Sequence, residues 1–163
     1  MEKGQKVILL VEDNPDDEKL TIMGFKRNNI ANPIVVAHDG KEALDYLFCQ
    51  GAHADRDPLD LPQVVVLDLK LPKINGIEVL KKIRENPETH FLPVVVLTSS
   101  KEDRDIVETY ELGVNAYVQK PVDFNEFGEA VKHLGMFWLL LNSAPDPRAI
   151  RASMQQTSLS SKD

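Results

Sequence analysis

Five side chains at four well-separated places in the sequence could do chemistry together: the adjacent carboxylates Glu12 and Asp13, the carboxylate Asp68, the hydroxyl of Thr98 and the amine of Lys120. Three carboxylates brought together repel, and they stay ionised only beside a cation. A small all-oxygen site suits Mg²⁺, which takes few protein ligands and keeps several waters. Thr98 supplies a hydrogen-bond donor and Lys120 a compact positive charge, a pair that complements phosphoryl oxygens. Asp68, flanked by metal and lysine, can serve as a carboxylate nucleophile that takes a phosphoryl group as an acyl phosphate. Taken singly, each has a plain structural role: Glu12-Asp13 as acids before a helix, Asp68 as a turn residue, Thr98 as a cap, Lys120 as a solvated side chain.

What brings them together is the pattern of elements. Short apolar runs end at or just before each of them: Val7 to Val11, Val64 to Leu67, Val94 to Leu97 and Ala116 to Val118, with one more at Ile34 to Ala37. Continuous β-branched runs such as Val64-Val65-Val66-Leu67 are expected for strands covered on both faces of a parallel sheet. Amphipathic helical patterns separate them, at Asp16 to Asn28 (with Leu20, Met23 and Arg27 as its stripe), Lys41 to Gln50, Ile77 to Glu85 and Asp105 to Leu112. This βα alternation predicts an α/β fold, a flavodoxin-like doubly wound (βα)5 sandwich with strand order 2-1-3-4-5. In such a sheet ligands sit beyond the carboxyl ends of the strands, where strand order reverses. Glu12-Asp13, Asp68, Thr98 and Lys120 all fall on that edge.

From Asp123 onward a last helix carries Phe124, Phe127, Val131, Leu134, Trp138 and Leu141 as the stripe for the sheet, while Met136, Phe137, Leu139 and Leu140 point elsewhere. Its final turns are apolar all round, so they want either a partner or a cover by the following tail. The division expected is one domain over 1–142 and a mobile Ser/Gln-rich tail over 143–163, too short for an output domain. The whole chain has 163 residues and a formal net charge of −7, which gives no general attraction to nucleic acid. Cys49 is the single cysteine, and the run from Val7 is too short for a signal peptide or membrane span, so a cytoplasmic protein is expected. His53, Asp55, Asp57 and Asp60 lie in a polar connection without the spacing of a standard metal site.

The motifs Val11-Glu12-Asp13-Asn14, Leu67-Asp68-Leu69-Lys70-Leu71-Pro72 with Gly76, Leu97-Thr98-Ser99-Ser100 and Tyr117-Val118-Gln119-Lys120-Pro121 resemble those of a response-regulator receiver domain, over roughly 6–142. The resemblance implies that Asp68 is the phosphoacceptor and that Asp13 and Asp68 hold Mg²⁺ with the backbone carbonyl of Lys70, Glu12 acting mainly through metal-bound water. It implies that Thr98 moves onto the phosphoryl group and Tyr117 then turns inward, remodelling the face made by the fourth helix, fifth strand and last helix. It also implies a cis Lys120–Pro121 bond, and a tuning role in dephosphorylation for Lys70 and Ser100. The long connection before the third strand and the apolar final helix are similar to small receivers that partner bacterial and cyanobacterial phytochrome histidine kinases. Such regulators tend to dimerise through that same face, for which Phe137 and Leu140 are the candidates here. The implied function is a phosphorylation switch, not an enzyme. A phosphatase working through phosphoaspartate wants a second Asp two residues after the nucleophile, where this chain has Lys70. A pseudo-receiver would lack part of the acceptor set. A nucleotide-binding protein would carry a Gly-rich phosphate loop.

Overall fold

The computed structural model describes residues 6–161; the first five and last two residues of the expected 1–142 and 143–163 units lie outside it. Five parallel strands, β1 (Ile8–Val11), β2 (Ile34–Ala37), β3 (Val64–Leu67), β4 (Val94–Thr98) and β5 (Ala116–Gln119), form one sheet in the order β2-β1-β3-β4-β5. The order matches the expectation. The helices are α1 (Pro15–Arg27), α2 (Gly40–Leu47), α3 (Gly76–Glu85), α4 (Asp103–Glu111) and α5 (Phe124–Gly135). The central strands β1, β3 and β4 are buried along their full length, whereas the edge strands β2 and β5 are half-exposed.

Alternation along each strand divides the core into two layers. Leu9, Val11, Val65, Leu67, Val94 and Val96 face α2 and α3, packing on Ala43, Leu47, Val79, Leu80 and Ile83. Ile8, Leu10, Val64, Val66, Val95 and Leu97 face the opposite way, onto Phe25, Phe127, Val131 and Leu134. Fully burying a side chain of this size is worth about 1.5–3 kcal/mol, so the strand ends are held by a rigid double layer.

In α1 the inward residues are Thr21, Gly24 and Phe25; Leu20 and Met23 are only half-buried and Arg27 is exposed. The expected stripe is thus turned. Gly24 explains it: a Cβ there would stand 2.7 Å from Val131 Cγ1, so α1 presses its smallest residue against α5 and buries the turn around it.

The last helix departs further from expectation. After Gly135 it widens into a π-helical segment, Met136–Leu141, in which Asn142 N–H donates to the Phe137 carbonyl at 2.7 Å. Beyond Gly135 the next buried side chain is Leu139, five positions after Leu134. The wider turn rotates Leu139 inward and Leu141 outward, reversing the expectation for both. Gln63 Nε2, just before β3, donates to the carbonyls of Trp138 and Leu139 at 3.2 Å each, satisfying groups the widened turn leaves over.

The residues expected to be a mobile tail form a sixth helix, α6 (Pro147–Ser160). Asp146 caps it by accepting from Arg148 N at 2.9 Å, and Pro147 opens it where no N–H is needed. Arg151 pairs with Glu88, and Ala149, Ile150 and Met154 border a groove whose other wall is Pro87, His90 and Phe91. No described peptide bond is cis, so Lys120–Pro121 is trans, the ordinary preference of an Xaa-Pro bond. No described helix is long and apolar enough to cross a membrane.

Candidate functional site

The carboxyl edge of the sheet gathers the predicted residues because the hydrogen-bond ladder continues past each strand. Glu12 N donates to Ala37 O at 3.0 Å, Asp68 N to Val11 O at 3.0 Å and Lys120 N to Thr98 O at 2.7 Å. Side chains at these positions therefore leave the sheet at one level. Asn14 ends the β1 excursion by capping α1, its Oδ1 accepting from Asp16 N and Asp17 N at 2.9 and 3.1 Å. Gly76 closes the loop after Asp68. Its N–H donates to Leu69 O at 2.9 Å, and a Cβ would sit 2.2 Å from the Asp68 carbonyl oxygen. Only glycine lets α3 start that close to Asp68.

Asp68 is buried and each of its oxygens has a partner. Thr98 Oγ1 donates to Oδ1 at 2.8 Å, as does Lys70 N at 3.3 Å, and Lys120 Nζ donates to Oδ2 at 2.8 Å. Lys120 also donates to Glu12 Oε1 at 2.7 Å and to Asp17 Oδ2 at 2.9 Å. Sequence reasoning missed Asp17. The only signal for it was its place one helical turn beyond Asp13, where acids are common for helix reasons alone.

The charges follow from burial and partners. Burial works against the Asp68 carboxylate, but its polar neighbours Glu12, Lys120 and Thr98 outweigh it and hold the carboxyl below its ordinary value. Burial, and then the Asp68 carboxylate beside it, pushes Glu12 up to about 9. Burial opposes the Lys120 charge too, yet Asp68, Glu12 and Asp17 together raise its pKa above the ordinary lysine value. Of the buried pair Glu12 and Asp68, Asp68 is the one whose ionised form is favoured.

Glu12, Asp13 and Asp68 each offer a carboxylate oxygen, all within 4.8 Å of one another; no other such group of three metal-ligating side chains occurs among the described residues. Glu12 is 2% exposed and its Oε2 has no hydrogen-bond partner. A buried acceptor left unpaired is costly, and a hard cation in an all-oxygen site would satisfy it. The residues fit a divalent metal. Asp13 is exposed at the rim, and Lys70 lies beside it on the same cleft.

Thr98 leads away from the site. Its Oγ1 accepts from Ser100 N at 3.3 Å, Ser100 Oγ donates to Asp105 Oδ2 of α4 at 2.6 Å, and Tyr117 Oη donates to the Ser100 carbonyl at 3.0 Å. Ser100 is buried and committed to α4, whereas Lys70 is exposed. Phe137 and Leu140 stand on the π segment, away from the rim, with half or more of their surface exposed.

A doubly wound sheet with three acids, a hydroxyl and a lysine at one edge defines a receiver, and comparison with known proteins agrees. The family model for the response regulator receiver domain matches residues 8–132. The chain belongs to that family. It is 39% identical over 134 residues to response regulator Rcp1 of Synechocystis sp., covering 82% of this chain and 89% of that protein. A crystal structure of the Mn²⁺-bound form of Rcp1 superposes with a TM-score of 0.80 at 37% identity, over 86% of this chain and 99% of that one. The phosphorylated cyanobacterial phytochrome response regulator RcpA gives a TM-score of 0.81 at 36% identity, over 87% and 99% of the two chains. The bacteriophytochrome response regulator AtBRR is 53% identical, with a TM-score of 0.67, over 85% and 98%.

Proposed function

We propose that this chain is a phosphorylation switch in which Asp68 receives a phosphoryl group from the phosphohistidine of a phytochrome-type sensor histidine kinase. The observation that carries the reading is the Asp68 carboxylate itself. It is buried and ionised, with a hydroxyl donor on one oxygen and an ammonium on the other. One carboxylate oxygen attacks phosphorus, the P–O bond forms as the P–N bond to the histidine breaks, and the imidazole leaves with the electron pair. Lys120 and Thr98 are placed to donate to the phosphoryl oxygens on which charge accumulates. Asp13 and Asp68, with the Lys70 carbonyl, would hold Mg²⁺, and Glu12 would act mainly through metal-bound water; the ion's role is to neutralise phosphoryl charge. The Mn²⁺-bound form of Rcp1 and the phosphorylated form of RcpA support these two assignments, and the similarity to RcpA and AtBRR, a phytochrome and a bacteriophytochrome response regulator, supports the partner.

The signal leaves through Thr98 and Tyr117 toward the α4-β5-α5 face, where Asp105 and Ser100 already tie β4 to α4. A homodimer through that face, extended by Phe137 and Leu140, would read it out without nucleic acid, in the cytoplasm. The expected 1–142 receiver unit is the part that carries all of this. Intact-protein mass after incubation with acetyl phosphate and Mg²⁺ tests the core of the reading. One phosphoryl adduct is expected on the wild type, and none on Asp68→Asn or on wild type with EDTA. If a folded wild type gains no adduct from acetyl phosphate, nor from an autophosphorylated bacteriophytochrome kinase, the acceptor assignment fails.

A further inference from the structure

Asp17 is an acidic side chain at the rim that belongs neither to the receiver motifs nor to the carboxylate cluster of Glu12, Asp13 and Asp68. Its backbone is committed to the first turn of α1: its N–H donates to Asn14 Oδ1 at 3.1 Å and its carbonyl accepts from Thr21 Oγ1 at 2.8 Å. The side chain reaches back to Lys120. An ammonium has three N–H donors, and Glu12, Asp68 and Asp17 receive Lys120 at 2.7, 2.8 and 2.9 Å. These anchors are not equivalent. Glu12 and Asp68 approach from the sheet, with side chains 3% and 8% exposed, whereas Asp17 approaches from a helix and stays 28% exposed.

We infer that Asp17 is a positioning residue for Lys120: it holds the ammonium toward the open side of the rim while the bond to Asp68 is exchanged for one to a phosphoryl oxygen. The inference rests on Asp68 being the acceptor. Once Asp68 is phosphorylated its carboxyl oxygens lose their full charge, and the negative charge moves outward onto the terminal phosphoryl oxygens. Lys120 must follow it. Glu12 alone would draw the long, flexible side chain back toward the floor of the site. Asp17, attached to the packed α1–α5 layer rather than to a strand end, supplies a fixed anchor on the outer side.

The test compares wild type, Asp17→Ala and Asp17→Asn at saturating Mg²⁺. The Lys120 ammonium signal is followed by lysine-selective ¹⁵N NMR, and the initial rate of adduct formation from acetyl phosphate by intact mass. Asp17→Ala is expected to broaden or shift the Lys120 signal and to slow the adduct about three- to tenfold, the scale of losing one partly exposed charge-assisted hydrogen bond. Asp17→Asn, which keeps an acceptor oxygen and the same size, should fall between, and it carries the test if Asp17→Ala unfolds. An unmoved Lys120 signal overturns the inference, as does a moved signal with an unchanged rate. A wild type that forms no adduct from acetyl phosphate or from an autophosphorylated bacteriophytochrome kinase removes the acceptor assignment and the inference with it, whereas a normal wild type with an indifferent Asp17 removes the inference alone.

Discussion

Asp68 and Lys120 are each unsatisfactory alone and stable only as a pair, which makes their chemistry and their stability inseparable. With the ammonium removed, Asp68, Asp17 and Glu12 would face one another in a buried site, and the proton held by Glu12, whose pKa stands at about 9, relieves only part of that repulsion. Lys120→Ala is therefore expected to lose about 3–5 kcal/mol of stability by denaturant unfolding, the cost of breaking a buried pair. It should also take up phosphate poorly in the mass assay, and full stability with normal uptake would remove both roles. The clustering of Glu12, Asp13, Asp68, Thr98 and Lys120 was legible in the sequence because chemistry-bearing types stood at the ends of four apolar runs, where apolar residues would otherwise be expected. Asp17 was not legible. An acid in the first turn of a helix is ordinary, and nothing in its spacing tells which neighbour it reaches.

At the scale of elements, strands were easier to read than helix faces. Four-residue β-branched runs such as Val64 to Leu67 and Ile34 to Ala37 declare themselves, and their observed bounds coincide with the expected ones. The last helix assumed a constant period, which the π segment breaks by carrying the inward face from Leu134 to Leu139. The sixth helix was hidden by Ser/Gln-rich composition, although Asp146-Pro147 is a helix start by its chemistry, a cap followed by a residue that needs no N–H. One junction between elements has a sharp consequence for the site. At Gly76 a methyl group would meet the Asp68 carbonyl oxygen at 2.2 Å and the Leu69 Cα at 2.6 Å, and backbone cannot rotate aside as a side chain can. Gly76→Ala should push α3 away from the acceptor loop, lowering the melting temperature and slowing adduct formation together, even though alanine is the better helix former. A variant as stable and as reactive as wild type would show that the loop yields freely.

On the whole molecule, apolar exposure is uneven. Scattered exposed hydrophobic residues are normal, but Met136, Phe137, Leu140 and Leu141 lie exposed within six consecutive residues, while Val107 and Tyr110 are exposed on α4. A chain with net charge −7 repels its own copies, so any association needs a compact apolar contact to offset that repulsion. Phe137 is suited to test it, being half-exposed and absent from both core layers; within the chain its ring packs edge-on against Trp138, with centroids 4.9 Å apart. Phe137→Glu should keep the circular dichroism and melting temperature nearly unchanged, yet shift the mass by sedimentation equilibrium toward the monomer, because a dimer would bury an unpaired charge. Tyr110→Glu separates the two parts of the surface. Loss of the dimer in both variants places the contact across α4 and the extension of α5, whereas loss in Phe137→Glu alone confines it to the extension. A wild type that sediments as a monomer before and after phosphorylation would leave this surface free for the kinase or another partner, and the α4-β5-α5 dimer would fall.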